Sequence, residues 1–193
     1  MIHPSGVEGV DIVPGSGAST SFNLPDPHAL DEDAQTCLRS LLEECRDRYD
    51  LVLIDNPPNL HLCSWAAMVA SDYLLVPVQP EDYGAQGLID VHRSLSLVRG
   101  DGHPIELLGY VLTLVQTRRA VHTAYEQRLR GMYGDLVLQA RVPHAVDFVE
   151  AIAQRLPVAK YKPRGASAKA LKALAEEVMA RIAAHAIAPG EAA

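Results

Sequence analysis

Hydrophobic positions along this chain follow two alternating rhythms. Unbroken aliphatic runs at residues 51–54, 73–78, 107–115 and 136–142 are separated by longer segments whose apolar residues recur every three or four positions. A continuous run of that length suits a strand covered on both faces, and the three-to-four spacing suits an amphipathic helix. Residues 31–48 read as one such helix. Ala34, Leu38, Leu41, Leu42 and Cys45 face inward, and Asp31, Glu32 and Asp33 stand at the end the helix dipole favours for acids. Further helices are predicted over 62–70, over 87–99 (Leu88, Val91, Leu95 and Val98 on one stripe, then Gly100 and Gly102 as stops), over 121–133, and over 146–154. An alanine-rich helix over 166–186 turns Ala168, Leu171, Leu174, Val178 and Ile182 inward, and 157–165 reads as a loop. A short β-like run at 10–13 is stopped by Pro14. Strands alternating with helices predict an α/β fold with a mainly parallel, doubly wound sheet.

In such a sheet ligands bind beyond the carboxyl ends of the strands. Asp55 sits there, directly after four aliphatic residues and before Asn56-Pro57-Pro58. A carboxylate in that place can hold a water on Mg²⁺ beside a nucleotide's phosphates, and it can equally cap the following turn. Gly15-Ser16-Gly17-Ala18-Ser19-Thr20 is a loop by composition and holds no lysine.

Charge adds a polarity that the hydrophobic pattern does not show. Residues 1–117 carry 5 lysine and arginine against 17 aspartate and glutamate, whereas residues 118–185 carry 12 against 6. The overall net charge of −7 argues against general affinity for polyanions, while the basic second part allows one on a single side. All four lysines, Lys160, Lys162, Lys169 and Lys172, lie late. Hydrophobic content of 48% and charged content of 21% are those of a globular chain, and 193 residues suit one domain, here 1–187 with a flexible tail over 188–193. No apolar run reaches about 18 residues and no signal-peptide pattern opens the chain, so no membrane association and a cytoplasmic setting are expected. The odd set Cys37, Cys45 and Cys63 forms no metal pattern, His61-Leu62-Cys63 has no second ligand pair, and no G-x-S-x-G nucleophile motif occurs.

The segment Tyr49-Asp50-Leu51-Val52-Leu53-Ile54-Asp55-Asn56-Pro57-Pro58 resembles the "YDxxxIDxPP" stretch of ParA/MinD-type ATPases. The resemblance continues in order. Leu74-Leu75-Val76-Pro77-Val78-Gln79-Pro80-Glu81 is similar to the family's "PVQPE" strand and turn, and Tyr83-Gly84-Ala85-Gln86-Gly87-Leu88 to the helix start after it. Leu108-Gly109-Tyr110-Val111-Leu112-Thr113 resembles the "GYVLT" strand. Val142-Pro143, Pro157-Val158-Ala159-Lys160-Tyr161 and Ala175-Glu176-Glu177-Val178 match the later stretches. Together they span about residues 8–183, and the combination is specific where each piece alone is weak.

The resemblance implies a sheet of the P-loop NTPase type, ATP and Mg²⁺ as cofactors, Asp55 as the magnesium-directing carboxylate, and Val142, Pro143 and Asp147 near the nucleotide base. The plainer reading of Pro143, a strand-ending proline before a polar helix start, is the one favoured for this chain. It implies nonspecific DNA binding through scattered basic residues, here Arg118, Arg119, Lys160, Lys162 and Arg164, with Arg141 nearby; the same residues can be a solvated rim. The partners it implies are a ParB-type protein and a second ParA-type subunit, either a copy of this chain or an intact relative.

One departure weighs against activity. The family opens with a deviant phosphate loop, "KGGxxKT", whose N–H groups and lysines grip the triphosphate. Nothing like it precedes Val10, and no lysine stands before Lys160. The expectation is therefore a partition protein whose fold lacks its first strands and which hydrolyses ATP negligibly as this chain, with no cofactor as the alternative to ATP and Mg²⁺. Two other readings remain: a noncatalytic module that binds DNA or a ParA-type partner, and an ATPase active only when a preceding segment completes it. A cobyrinate-synthase-type amidotransferase is the runner-up enzyme, and it too needs the phosphate loop.

Overall fold

The structure is a computed structural model. It describes residues 2–187 except 16, 18, 19, 21–23, 25, 28, 29, 58, 60, 82 and 83, and not the side chains at 84–86, 186 and 187. Three of the residues in the 15–20 loop, and Pro58 and Tyr83 of the family-like stretches, thus lie outside the described residues. Two compact units emerge, Met1–Ser71 with Arg93–Pro104, and Asp72–His92 with Ile105–Ala193.

The first unit opens with an antiparallel hairpin of β1 (His3–Val7) and β2 (Val10–Ile12), which the alternating pattern foretold only for its second strand. Gly9, at φ +75°, makes the turn. Ser5 Oγ donates to Val10 O at 2.6 Å, and Tyr49 donates its hydroxyl to Asp11 at 2.8 Å. Helix α1 (Glu32–Glu43) starts at Asp31, whose carboxylate accepts from Ala34 N at 2.9 Å. The chain then continues through a separate 3₁₀ turn at Arg46–Arg48. Helix α2 (Leu62–Val69) is apolar nearly all round and buried, including Leu62, Trp65, Ala66, Ala67, Met68 and Val69.

The expected strand at 51–54 is absent. Leu51 and Val52 are each 47% exposed and Leu53 is 84% exposed. Aliphatic composition gives a segment its preference for a sheet, but only a hydrogen-bonded neighbour makes it a strand. No strand pairs with 51–54 among the described residues, and Pro57 offers no N–H just beyond it.

The second unit holds the parallel sheet, in the order β3 (Tyr73–Val78), β4 (Glu106–Val115), β5 (Val137–Pro143). Helix α3 (Gly84–Gly100) leads from β3 and α4 (Ala120–Tyr133) joins β4 to β5. After β5 come α5 (Val146–Ala153), a four-residue α6 (Val158–Tyr161) within the segment expected to be a loop, and the long α7 (Ala166–Ile187). The α/β architecture and its parallel sheet are those the sequence pattern predicts. The core joins Val76 and Val78 of β3, Leu88 of α3, Tyr110, Leu112 and Val115 of β4, Leu129 of α4 and Val137 of β5. Tyr110, fully buried, shares its hydroxyl with His92 Nε2, and burial next to Tyr133 pushes its pKa up to about 12.

Both inner ladders are interrupted. Between Tyr110↔Val137 and Leu112↔Arg141, β5 spends two residues more than β4, so Leu138–Ala140 bulge out of register. Side chains take up the freed backbone groups. Arg130 of α4 donates to Val137 O at 3.0 Å and Leu138 O at 2.8 Å, and Glu177 of α7 accepts from Gln139 N at 2.9 Å and Ala140 N at 2.8 Å. Arg181, one turn on, donates to Leu108 O at 3.1 Å, beside the point where β4 slips against β3. Burial works against Glu177's ionised form, and these two N–H groups with Arg181 more than reverse that, so its pKa is lowered.

Two backbone positions in β4 respond oppositely to substitution. Gly109 has φ +145°, and a Cβ there would stand 2.3 Å from Leu136 O and 2.7 Å from Leu138 Cδ1. Gly109→Ala is expected to lower unfolding free energy by about 2 kcal/mol or more. Leu114 holds φ +53°, a left-handed conformation costing a leucine about 1–2 kcal/mol, and is 43% exposed. Leu114→Gly is expected to stay within about 1 kcal/mol of the parent, relief of strain offsetting added chain freedom. Urea unfolding of the three proteins checks both.

Candidate functional site

The carboxyl ends of β4 and β5 open onto a cleft of about 410 Å³ whose polar walls include Thr117, His122, Thr123, Glu126, Arg130 and Arg141. The local sequence dictates this face. His122, Glu126 and Arg130 follow one another at i, i+4 along α4, so they form one stripe, and the β5 bulge turns Arg141 toward it. Glu126, 7% exposed, takes both guanidinium groups on one oxygen, Arg130 Nε at 2.9 Å and Arg141 Nη2 at 2.9 Å. A carboxylate this buried requires such partners. His122, 4% exposed, accepts the Gln116 backbone N–H on Nδ1 at 3.2 Å. Its proton in the neutral ring is therefore on Nε2.

A second polar cluster holds the corner of α5, α6 and α7. Lys162 Nζ lies 2.7 Å from Asp147 Oδ1 and 2.7 Å from Glu150 Oε2. Ser167 Oγ, 1% exposed, donates to Asp147 Oδ2 at 3.0 Å, and Tyr161 donates to Glu150 at 3.1 Å. The hydrogen bond from Lys162, seconded by that from Ser167, holds Asp147 below its ordinary 3.8; Lys162 and then Tyr161 do the same for Glu150 below its ordinary 4.5. The same two carboxylates raise Lys162 above its ordinary 10.5.

The residues singled out from the sequence are distributed as follows. Arg118 and Arg119 are exposed on the β4–α4 turn, which is closed by Arg119 N donating to Gln116 O at 3.0 Å. Neither makes an ion pair among the described residues, and Lys160 and Arg164 are likewise exposed and unpaired. Lys162, expected on the DNA side, and Asp147, expected near a nucleotide, are joined to each other. Val142 and Pro143 end β5, half-buried, with His144 N bonded to Val115 O at 3.0 Å. Asp55 is exposed in the other compact unit. No cation or N–H group contacts Asp55 among the described residues. The same described residues hold no cluster of three metal-ligating side chains, and no helix long and apolar enough to cross a membrane. His122 and Glu126 escaped the sequence reading. Their only signal was helical spacing, which a solvated stripe shares.

The chain can now be set beside known proteins. A family model described as an AAA domain matches residues 1–104. The chromosome-partitioning ATPase Soj of Thermus thermophilus is 32% identical over 187 residues, covering 94% of this chain and 70% of that protein. This chain belongs to the ParA/MinD-type partition ATPase family. The chromosome partitioning protein ParA of Caulobacter vibrioides is 33% identical over 178 residues, 90% of this chain and 65% of its own length. This ParA-family chain thus spans about two thirds of the curated relatives it matches. Among solved structures, apo McdA of Cyanothece superposes with a TM-score of 0.77 at 15% identity, covering 94% of this chain and 71% of that one. MinD of Pyrococcus horikoshii, solved with Mg-ADP, gives 0.66 at 24% identity over 92% and 66%. The fold is that of these P-loop NTPases.

The Lys162 cluster sets a pH window. Carboxylates with lowered folded pKa values stabilise the fold above their ordinary range and lose that contribution as pH falls through the lowered values. The raised lysine stabilises below its ordinary 10.5 and loses its contribution as pH rises past that value. Thermal midpoints should therefore be level from about pH 5 to about pH 10 and fall on both sides. Lys162→Met should lower the plateau and weaken both limbs, as followed by circular dichroism.

Proposed function

We propose that this chain works in DNA segregation as a ParA-type partition protein that does not hydrolyse ATP by itself. The observation that carries the proposal is a match extending over 94% of the chain to a chromosome-partitioning ATPase. The exposed, unpaired arginines at the β4–α4 turn support contact with DNA phosphates, with Lys160 and Arg164 as further contacts and Lys162 reserved for its carboxylates. Such contacts give weak, sequence-independent, salt-sensitive binding. The partners that belong to this reading are a ParB-type protein and a second ParA-type subunit. α5 offers the latter an outward aliphatic stripe of Val146, Val149 and Ile152, at 65%, 68% and 76% exposure.

MinD solved with Mg-ADP and a McdA variant solved with ATP support a magnesium nucleotide as the family's ligand. In this chain Asp55 is the residue to direct a magnesium-bound water, with Val142 and Pro143 toward the base. Phosphoryl transfer rests on positioning and charge stabilisation, and an isolated carboxylate supplies neither. The second reading, a chain completed by a segment bearing a glycine-lysine phosphate loop, is favoured by one observation: the aliphatic run before Asp55 is exposed and unpaired, as a strand awaiting a neighbour would be.

Two measurements test the proposal. In a low-salt mobility-shift assay the chain should retard unrelated duplexes alike. Arg118→Glu with Arg119→Glu should weaken binding and reduce the slope of log affinity against log salt by about 2. Phosphate release from ATP should equal the no-protein background, with or without Asp55→Ala. Turnover abolished by Asp55→Ala would overturn the noncatalytic assignment.

A further inference from the structure

The cleft beside α4 has a use that the partition reading does not assign. We propose that it binds a small phosphate-bearing molecule, seated on His122 Nε2–H and the hydroxyls of Thr117 and Thr123, with Arg141 across from them.

Four observations converge. The first is the histidine. Its ring is 4% exposed and lines the cleft, its Nδ1 is occupied by the Gln116 N–H, and its Nε2–H meets no acceptor among the described residues. A buried donor left unmade costs about 1–3 kcal/mol, so an incoming acceptor is rewarded. The second is charge. Glu126 is matched by two arginines, leaving one positive charge in excess within the walls, and Arg118 and Arg119 follow Thr117 directly at the turn. A cation is therefore disfavoured. Arg141, 45% exposed at its side chain, spends one Nη on Glu126 and keeps further N–H groups for a ligand.

The third is backbone. α4, 14 residues long, starts at Arg119 with no side-chain cap and no acid in its first turn, so its positive dipole end is uncompensated where Thr117 and Thr123 lie. The fourth is strain. Leu114, directly before the cleft-lining Val115, holds a left-handed conformation at φ +53°. Strained residues of this kind persist where a site is being shaped. A volume of about 410 Å³ exceeds a bare phosphate and suits one carrying a sugar-sized body.

The proposal stands apart from the partition reading, and one titration separates them. The full chain, its imidazoles isotope-labelled, is titrated with inorganic phosphate at constant ionic strength, and separately with a short duplex DNA. Phosphate should shift the His122 ring resonances saturably and raise the thermal midpoint. Thr123→Val and Arg141→Gln should each weaken phosphate roughly tenfold or more, while Arg118→Glu with Arg119→Glu should change it by about threefold or less. His122→Phe should abolish the midpoint shift, and if it fails to fold, Thr123→Val at its exposed position carries the test. No saturable response to phosphate, equal affinity in Thr123→Val and Arg141→Gln, or a His122 response to the duplex alone would overturn it.

Discussion

The second unit depends on two side chains of its last helix. Glu177 and Arg181 are one turn apart on α7, and between them they meet Gln139 N, Ala140 N, Leu108 O and Asp135 O. These groups lie in or beside the irregular stretches of β4 and β5, where ladder partners are lost. Unpaired backbone groups in that setting cost as much as lost hydrogen bonds, so the irregular sheet is tolerable only because the helix answers it. Charge completes the arrangement, since Glu177 and Arg181 also bond each other at 3.0 Å.

The bulges matter beyond stability. A regular β5 would alternate its side chains strictly, and a two-residue insertion changes where the strand end points. Here it brings Arg141 onto Glu126, whose other partner, Arg130, caps the same bulge. The cleft wall and the strand irregularity are thus one device. Glu126 is the hinge of it, joining α4 to β5 through two guanidinium groups.

Much of this was legible in the residues. The stripe Leu88, Val91, Leu95 and Val98 announced α3, the run 73–78 announced β3, and the order of family-like stretches announced the fold. What failed, failed for physical reasons. The 51–54 run has the composition of a buried strand and lacks a neighbour, which composition does not encode. The ion pair of Asp147 and Lys162 was not legible either, because 15 residues separate them and only the α5–α6 turn brings them within 2.7 Å. Glu126 reads as an ordinary helix-surface acid until the bulge across from it is known.

The clamp by α7 has a consequence for synthesis. Strands β4 and β5 leave the ribosome well before Glu177 and Arg181 do, so the nascent sheet must wait with bare amides and carbonyls until α7 has been made. A polypeptide ending before Glu177 would hold β3, β4 and β5 and lack the two side chains that answer their irregular stretches.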